Sequence, residues 1–328
     1  MKRLFLFLAL CTCLATWLFF SWKHEQSMPA ALRKSQFDRS LKLKELGAEF
    51  VTHRKLDKEM LTLSHRMIDR RKSEWNQGGR AAIPSIIHQI WPQEGPIPEN
   101  YLRATRTVQL YNPEATYILW KRADVGRLLS ELFGKEWEDL SFDIVRDVAA
   151  AAILWQHGGV VIDVESEAVH SVKELLTLAD CIIGFEPPLG KVQFQRRLFL
   201  SSSVIAAENH HPLIRAWLTE MWRRALLARH NPNISALWVT QESLTRAAAA
   251  FHDQKRPLFL GPTYFCPVRP AHIRLFRRTL DGEEHTRFLK RWAQTLGILS
   301  VPPYSRVDRD TLCVHLNGGR ESGKSPLK

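Results

Sequence analysis

The chain has 328 residues, 45% hydrophobic and 24% charged, an ordinary globular composition with enough length for one large α/β domain and flanking segments. The formal net charge is +12 at pH 7, but Lys and Arg are spread along the whole chain, with no single basic tract and no interleaved aromatic ladder. That distribution argues against nucleic acid as a partner and leaves a cationic surface suited to nucleotide diphosphates, anionic headgroups or polyanionic glycans. Cys11 and Cys13 lie in the N-terminal apolar run; Cys181, Cys266 and Cys313 are too few for a disulfide framework and match no zinc spacing, with Cys266 and Cys313 the pair considered for one bridge.

Residues 1–3 carry Lys2 and Arg3, and Leu4 to Trp22 then run for 19 positions without a charge. A helix of that length spans roughly 28 Å, close to the apolar thickness of a bilayer. The preceding cations predict a cytoplasmic tail and a single-pass type II signal-anchor, with the remainder lumenal in the Golgi or ER. The alternative is a cleaved signal peptide, for which Pro29-Ala30-Ala31 is a poor site. From residue 23 to residue 80 the chain is charged and poor in Gly and Pro. Leu56, Met60, Leu63 and Met67 step by helical intervals. This predicts a helical stem through which a homodimer is the natural assembly. Asn76 to Gly79 breaks it, so the compact domain is placed at 81–328.

Ile83 to Trp91 (IPSIIHQIW) reads as a buried first strand of a parallel sheet, with His88 and Trp91 toward the end where open α/β sheets bind ligands. Tyr117 to Trp120 reads as a second strand, and Ala123 to Phe133 as a helix. The most informative stretch is Asp143 to Glu167, DIVRDVAAAAILWQHGGVVIDVESE. Asp147 to Gln156 is Ala-rich and predicts a tightly packed helix, ended by Gly158 at a left-handed C-cap. Val160 to Ile162 is then a buried strand that runs into Asp163-Val164-Glu165. Alternation in an extended chain sends positions 163 and 165 to one side. Two carboxylates at the open end of a buried strand form a hard-oxygen site of the kind that Mn²⁺ or Mg²⁺ shares with a diphosphate.

These residues resemble glycosyltransferase family 32, the sugar-binding DXD group that includes fungal Golgi α-1,6-mannosyltransferases and sphingolipid mannosyltransferases. IPSIIHQIW is similar to that family's opening block, and the helix with GGVVIDVE to its S-D-x-x-R … G-G-x-Y-x-D-x-D block. GFEPP (Gly184 to Pro188), VIAAENHHP (Val204 to Pro212) and VHLNGG (Val314 to Gly319) fall in the family's order. The resemblance implies a Rossmann-like GT-A fold and a metal-dependent transferase that retains anomeric configuration. Its donor would be GDP-mannose first and a UDP-sugar second, its acceptor a glycan or glycolipid. It places Trp91 and His88 on the donor side, Asp147 against donor hydroxyls, and Asp163 and Glu165 on the metal and diphosphate. His315 closes the site as a further metal ligand, and Glu186 lies on the acceptor side.

The chain departs from that pattern at several positions. The Arg expected three residues after the helix Asp is Ala150, the second metal acid is Glu165, the strand aromatic is Val161, and the Ser-Trp pair expected after His315 is Arg320-Glu321. Arg146 precedes Asp147, and about 100° of helix rotation is expected to turn it elsewhere. Arg196 or Arg197 is therefore the expected replacement cation. The departures keep a second reading in view, a catalytically inactive relative that binds glycans or nucleotide sugars.

Overall fold

The computed structural model describes residues 56, 59–60, 62–64, 83–173, 175–177, 179–186, 198–231, 233–251, 257–261, 265 and 312–315. The expected anchor at 4–22 lies outside them. Among the described residues no helix is long and apolar enough to cross a membrane. Of the expected stem, Leu56, Met60 and Leu63 fall in helix, with Met60 fully buried, and Met67 lies outside. All described residues belong to one compact unit, Lys42–Lys328.

The core is a mixed α/β arrangement around a six-stranded sheet ordered β2-β1-β3-β6-β5-β7. Strand β1 (Ile86–Trp91) is buried almost throughout and pairs in parallel with β2 (Thr116–Lys121) and β3 (Gly159–Ile162). A near-continuous apolar run is what a strand covered on both faces requires. Pro84, which cannot donate to a ladder, stays ahead of the strand. Beyond β3 the expected parallel pattern gives way. Strand β6 (Leu200–Ala207) runs antiparallel to both β3 and β5 (Cys181–Phe185), and β7 (Pro257–Leu260) is parallel to β5.

Helix α1 (Glu99–Tyr111) buries Ala104 and Val108, and α2 (Arg122–Phe133) buries Val125, Leu128 and Leu129, each one stripe of an amphipathic helix. Helix α3 (Phe142–His157) is different: every residue from Ile144 to Leu154 is buried. It lies against the sheet on one side and α4 (Pro212–Arg229) on the other. Its four consecutive alanines, Ala149 to Ala152, allow that close approach. Two shorter helices follow, α5 (Ala236–Val239) and α6 (Gln241–Ala249).

The turn from α3 into β3 depends on two glycines. Gly158 has φ 66° and ψ −160°, so φ is positive as expected for this cap, but ψ is extended rather than left-handed helical. Gly159 has φ 93°. A Cβ on Gly158 would stand 2.6 Å from the Asn209 amide nitrogen, and one on Gly159 would stand 2.5 Å from the Ile86 carbonyl oxygen. Neither position has room or backbone freedom for a side chain.

After β3 the chain makes a short second sheet, in which β4 (Ser166–Ala168) pairs antiparallel with β8 (Cys313–His315). Cys313 is buried as a free cysteine, and burial raises its thiol pKa to about 12. Cys266 itself lies outside the described residues.

Candidate active site

Helix α3 precedes β3 and returns along it, so its N-terminal turns sit at the C-terminal ends of β1 and β3. Open α/β sheets gather ligands at that edge. Asp163 is the first residue past β3, and its N–H still donates to the Ser203 carbonyl at 2.8 Å. Its own carbonyl accepts from Ser166 N–H at 2.8 Å, and its carboxylate Oδ1 accepts from Glu165 N–H at 3.1 Å. The acids therefore stand in a tight turn and not in an extended segment, so alternation is not what relates them. The turn forms because a short Asp side chain caps the backbone two residues on. Gln89 adds a contact from β1, its Nε2 at 3.4 Å from the Asp163 carbonyl, while Tyr117 O–H donates to Gln89 Oε1 at 2.9 Å.

Arg146 enters the site, contrary to the expected rotation. Its Nε donates to Asp147 Oδ1 at 3.2 Å, its Nη1 lies 3.3 Å from Asp163 Oδ2, and its Nη2 lies 3.6 Å from Asp143 Oδ1. Helix rotation fixes only the Cα–Cβ direction. A guanidinium on a four-bond stem reaches across that angle when carboxylates attract it. Burial opposes its charge, but Asp163, Asp147, Asp143 and Glu165 together hold its pKa above the ordinary arginine value.

Asp147 Oδ2 accepts from Ser202 Oγ at 3.0 Å. Ser202 is aimed there by an irregularity in β6. Ile183 pairs with Ile205, but Phe185 pairs with Leu200, so two steps along β5 match five along β6. The extra residues hold Ser201, Ser202 and Ser203. Bulges of this kind re-aim side chains beside sites. While Ser202 meets Asp147, Ser201 Oγ donates to Glu186 Oε1 at 2.6 Å and lies 2.7 Å from Ser203 Oγ. Gln241 Nε2 donates to the same Glu186 oxygen at 3.1 Å. Arg146, Asp147, Ala150, Asp163 and Ser202 thus line one small depression.

The other expected site residues are placed as follows. Trp91 ends β1 and packs edge-on against Tyr101 and Phe142, with Val164 of the acid turn in the same apolar cluster. Its buried indole N–H has no acceptor among the described residues. His88 points to the other end of α3. Its Nε2 lies 2.9 Å from the Gly158 carbonyl and its Nδ1 accepts from Trp120 Nε1 at 3.1 Å. Desolvation lowers its pKa to about 4, so it is a neutral core histidine. A cavity of about 480 Å³ opens beside it and Trp120, away from the acid cluster. The β4–β8 pairing sets the His315 backbone opposite Ser166, next to the residue that follows Glu165. The His315 side chain lies outside the described residues, as do Arg196 and Arg197.

Among the described residues no group of three or more His, Cys, Asp or Glu forms a ready cage for an ion. Carboxylate oxygens such as those of Asp163 and Glu165 are the ligand type that Mn²⁺ or Mg²⁺ takes when substrate phosphates complete its coordination.

No family model matches the chain. Among curated proteins it is similar to three inositol phosphoceramide mannosyltransferases of Schizosaccharomyces pombe. It is 29% identical to mannosyltransferase 3 over 100 residues (29% of this chain, 28% of that protein). It is 26% identical to mannosyltransferase 1 over 144 residues (42% of each), and 23% identical to mannosyltransferase 2 over 207 residues (57% of each). The chain thus spans between 28% and 57% of the length of these relatives. Among solved structures it is similar to the PaToxG glycosyltransferase at 14% identity, covering 56% of this chain and 78% of that one, with a TM-score of 0.37. The galactosyltransferase LgtC, solved with donor and acceptor sugar analogs, gives 13% identity, 71% and 87% coverage and the same TM-score. The family-level resemblance inferred from the sequence is borne out by the inositol phosphoceramide mannosyltransferases among these relatives.

Proposed function

We propose that this chain is a metal-dependent, retaining glycosyltransferase of the GT-A type. Mannose from GDP-mannose is its first candidate donor sugar, a UDP-sugar its second, and the acceptor is a glycan or glycolipid hydroxyl. The observation that carries the reading is the convergence of Asp147 and Asp163 on one guanidinium in one depression at the C-terminal ends of β1 and β3. Acids and a cation gathered at the ligand edge of an open α/β sheet support a site for a charged ligand. Sphingolipid mannosyltransferases among the relatives favour mannose and a lipid-linked acceptor.

In this reading Asp163 and Glu165 hold the divalent ion, with His315 closing the site from β8. The ion, when bound, neutralises charge on the departing nucleotide diphosphate. Asp147, fixed by Ser202 and Arg146, accepts hydrogen bonds from donor hydroxyls. Trp91 lies toward the base. Glu186, held by Ser201 and Gln241, stands on the acceptor side, where an acceptor hydroxyl attacks the anomeric carbon. The N-terminal apolar run would anchor this domain in the Golgi or ER with its site lumenal. One observation favours a second reading: Ala150 lines the depression where the family places an Arg. A chain that binds nucleotide sugars without transferring them would look the same there.

A panel of GDP- and UDP-sugars, with and without Mn²⁺, tests both readings through thermal shift and donor hydrolysis. Mn²⁺-dependent stabilisation with turnover, lost in Asp163→Ala, is the expected result. Stabilisation without turnover selects the second reading, and full transfer by Asp163→Ala refutes the first.

A further inference from the structure

This inference rests on the metal-dependent reading above. Each of the three guanidinium nitrogens of Arg146 faces a different carboxylate: Asp147 at 3.2 Å, Asp163 at 3.3 Å and Asp143 at 3.6 Å. On Asp163 the contact falls on Oδ2, while Oδ1 accepts from the Glu165 N–H. An ion that approaches Asp163 through Oδ2 therefore meets a fixed positive charge at contact distance. Like charges that close repel strongly in a protein interior, twice as strongly when one is divalent. The side chain is also confined, because its guanidinium lies 5.7 Å from the Phe142 ring centroid and it is almost wholly buried.

An ion that arrives with a diphosphate presents a different balance. The phosphate oxygens are anionic acceptors that a guanidinium attracts. The repulsion that opposes the bare ion then becomes attraction for the complex. The face of α3 that carries Arg146 carries Ala150 one turn further on, and its methyl leaves that side of the depression open.

We propose that Arg146 is a positioning residue that makes the site's hold on a divalent cation conditional on a nucleotide diphosphate. Without nucleotide, it occupies the Asp163 oxygen that the ion needs and keeps Asp147 and Asp163 together. With nucleotide, its charge is shared with the phosphates and Asp163 is released to the ion.

Mn²⁺ binding to the full chain, measured by calorimetry and by electron paramagnetic resonance, tests this with and without GDP or UDP. Arg146→Ala is expected to bind Mn²⁺ alone about tenfold tighter than the wild type. The gain from adding nucleotide is expected to shrink by a similar factor. A merely structural role would weaken both. Mn²⁺ affinity without nucleotide that is unchanged or weaker in Arg146→Ala overturns the proposal. If that variant fails to fold, Arg146→Met keeps an apolar stem against Phe142 and carries the same measurement. Failure of both to fold assigns Arg146 a structural role and also overturns the proposal. A wild type that binds no Mn²⁺ with either nucleotide and is unaltered by Asp163→Ala refutes the metal reading itself. Asp163-dependent binding that Arg146→Ala does not tighten refutes only this inference.

Discussion

The two ends of α3 bury polar groups against the same strands by opposite means. At its N-terminal end Arg146 is paired with Asp147 and Asp163. About 16 Å along the axis, at its C-terminal end, His88 is buried among Trp120 and His157 rings and loses its charge. At the neutral end two glycines admit no side chain, and the cavity of about 480 Å³ opens beside the His88 and Trp120 rings. At the charged end Asp143, Asp147, Asp163 and Glu165 all act on Arg146. One helix thus keeps polar groups buried in two ways, by pairing charge at the ligand edge and by shedding it at the opposite end.

The sharpest break in that contrast is at Asp163. Asp163→Asn keeps the turn but removes the charge, and kcat/KM for sugar transfer is expected to fall about a thousandfold or more, roughly 4 kcal/mol in the barrier. Circular dichroism should remain native. At the scaffold end, Gly159→Ala sets a methyl 2.5 Å from the Ile86 carbonyl at a positive φ. A loss of roughly 3 kcal/mol or more in urea denaturation is expected.

The pH dependence separates the two ends further. His88 has a folded pKa of about 4, below its ordinary 6.5, so the unfolded chain binds more protons between those values. Stability is therefore full above pH 6.5 and is lost as pH falls toward 4, by a contribution of about 3 kcal/mol. Denaturation midpoints across that window check the sign, and His88→Gln should flatten the slope. The smallest expected effect is Ser202→Ala. Loss of its hydrogen bond to Asp147 should cost about 1 kcal/mol, read as a rise in donor KM with little change in stability.

The strands β1, β2 and β3, the helix α2 and the C-terminal end of α3 are legible within a few residues, because each carries an unbroken apolar pattern or glycine punctuation; α3 begins at Phe142, five residues before the expected Asp147. The antiparallel β5 and β6 are not legible. Their pairing is long-range, and the serine run of β6 has no strand period. Asp163 is singled out by its place after the Gly-Gly turn and strand, whereas Asp147 is pointed to only by the family resemblance; that the two share one guanidinium is seen only in the structure. Arg146 was misread because Cα geometry says nothing of where a long cation settles among acids. A comparison with Ala150 was the available signal, since positions four apart share a helix face. Ser202 had no signal, since its aim depends on a bulge seen only in the register.

The pairing of β4 with β8 has a consequence for biosynthesis. Ser166 follows directly on the acid turn, yet its partner His315 is translated 149 positions later. Closing so long a loop costs entropy that only the finished contacts return. While the nascent chain emerges, the helix, the glycines and both acids are made well before the strand that flanks them. The acid turn therefore gains this neighbour only after every strand of the main sheet has been made, and a growing polypeptide passes through a stage with that side of the turn still open.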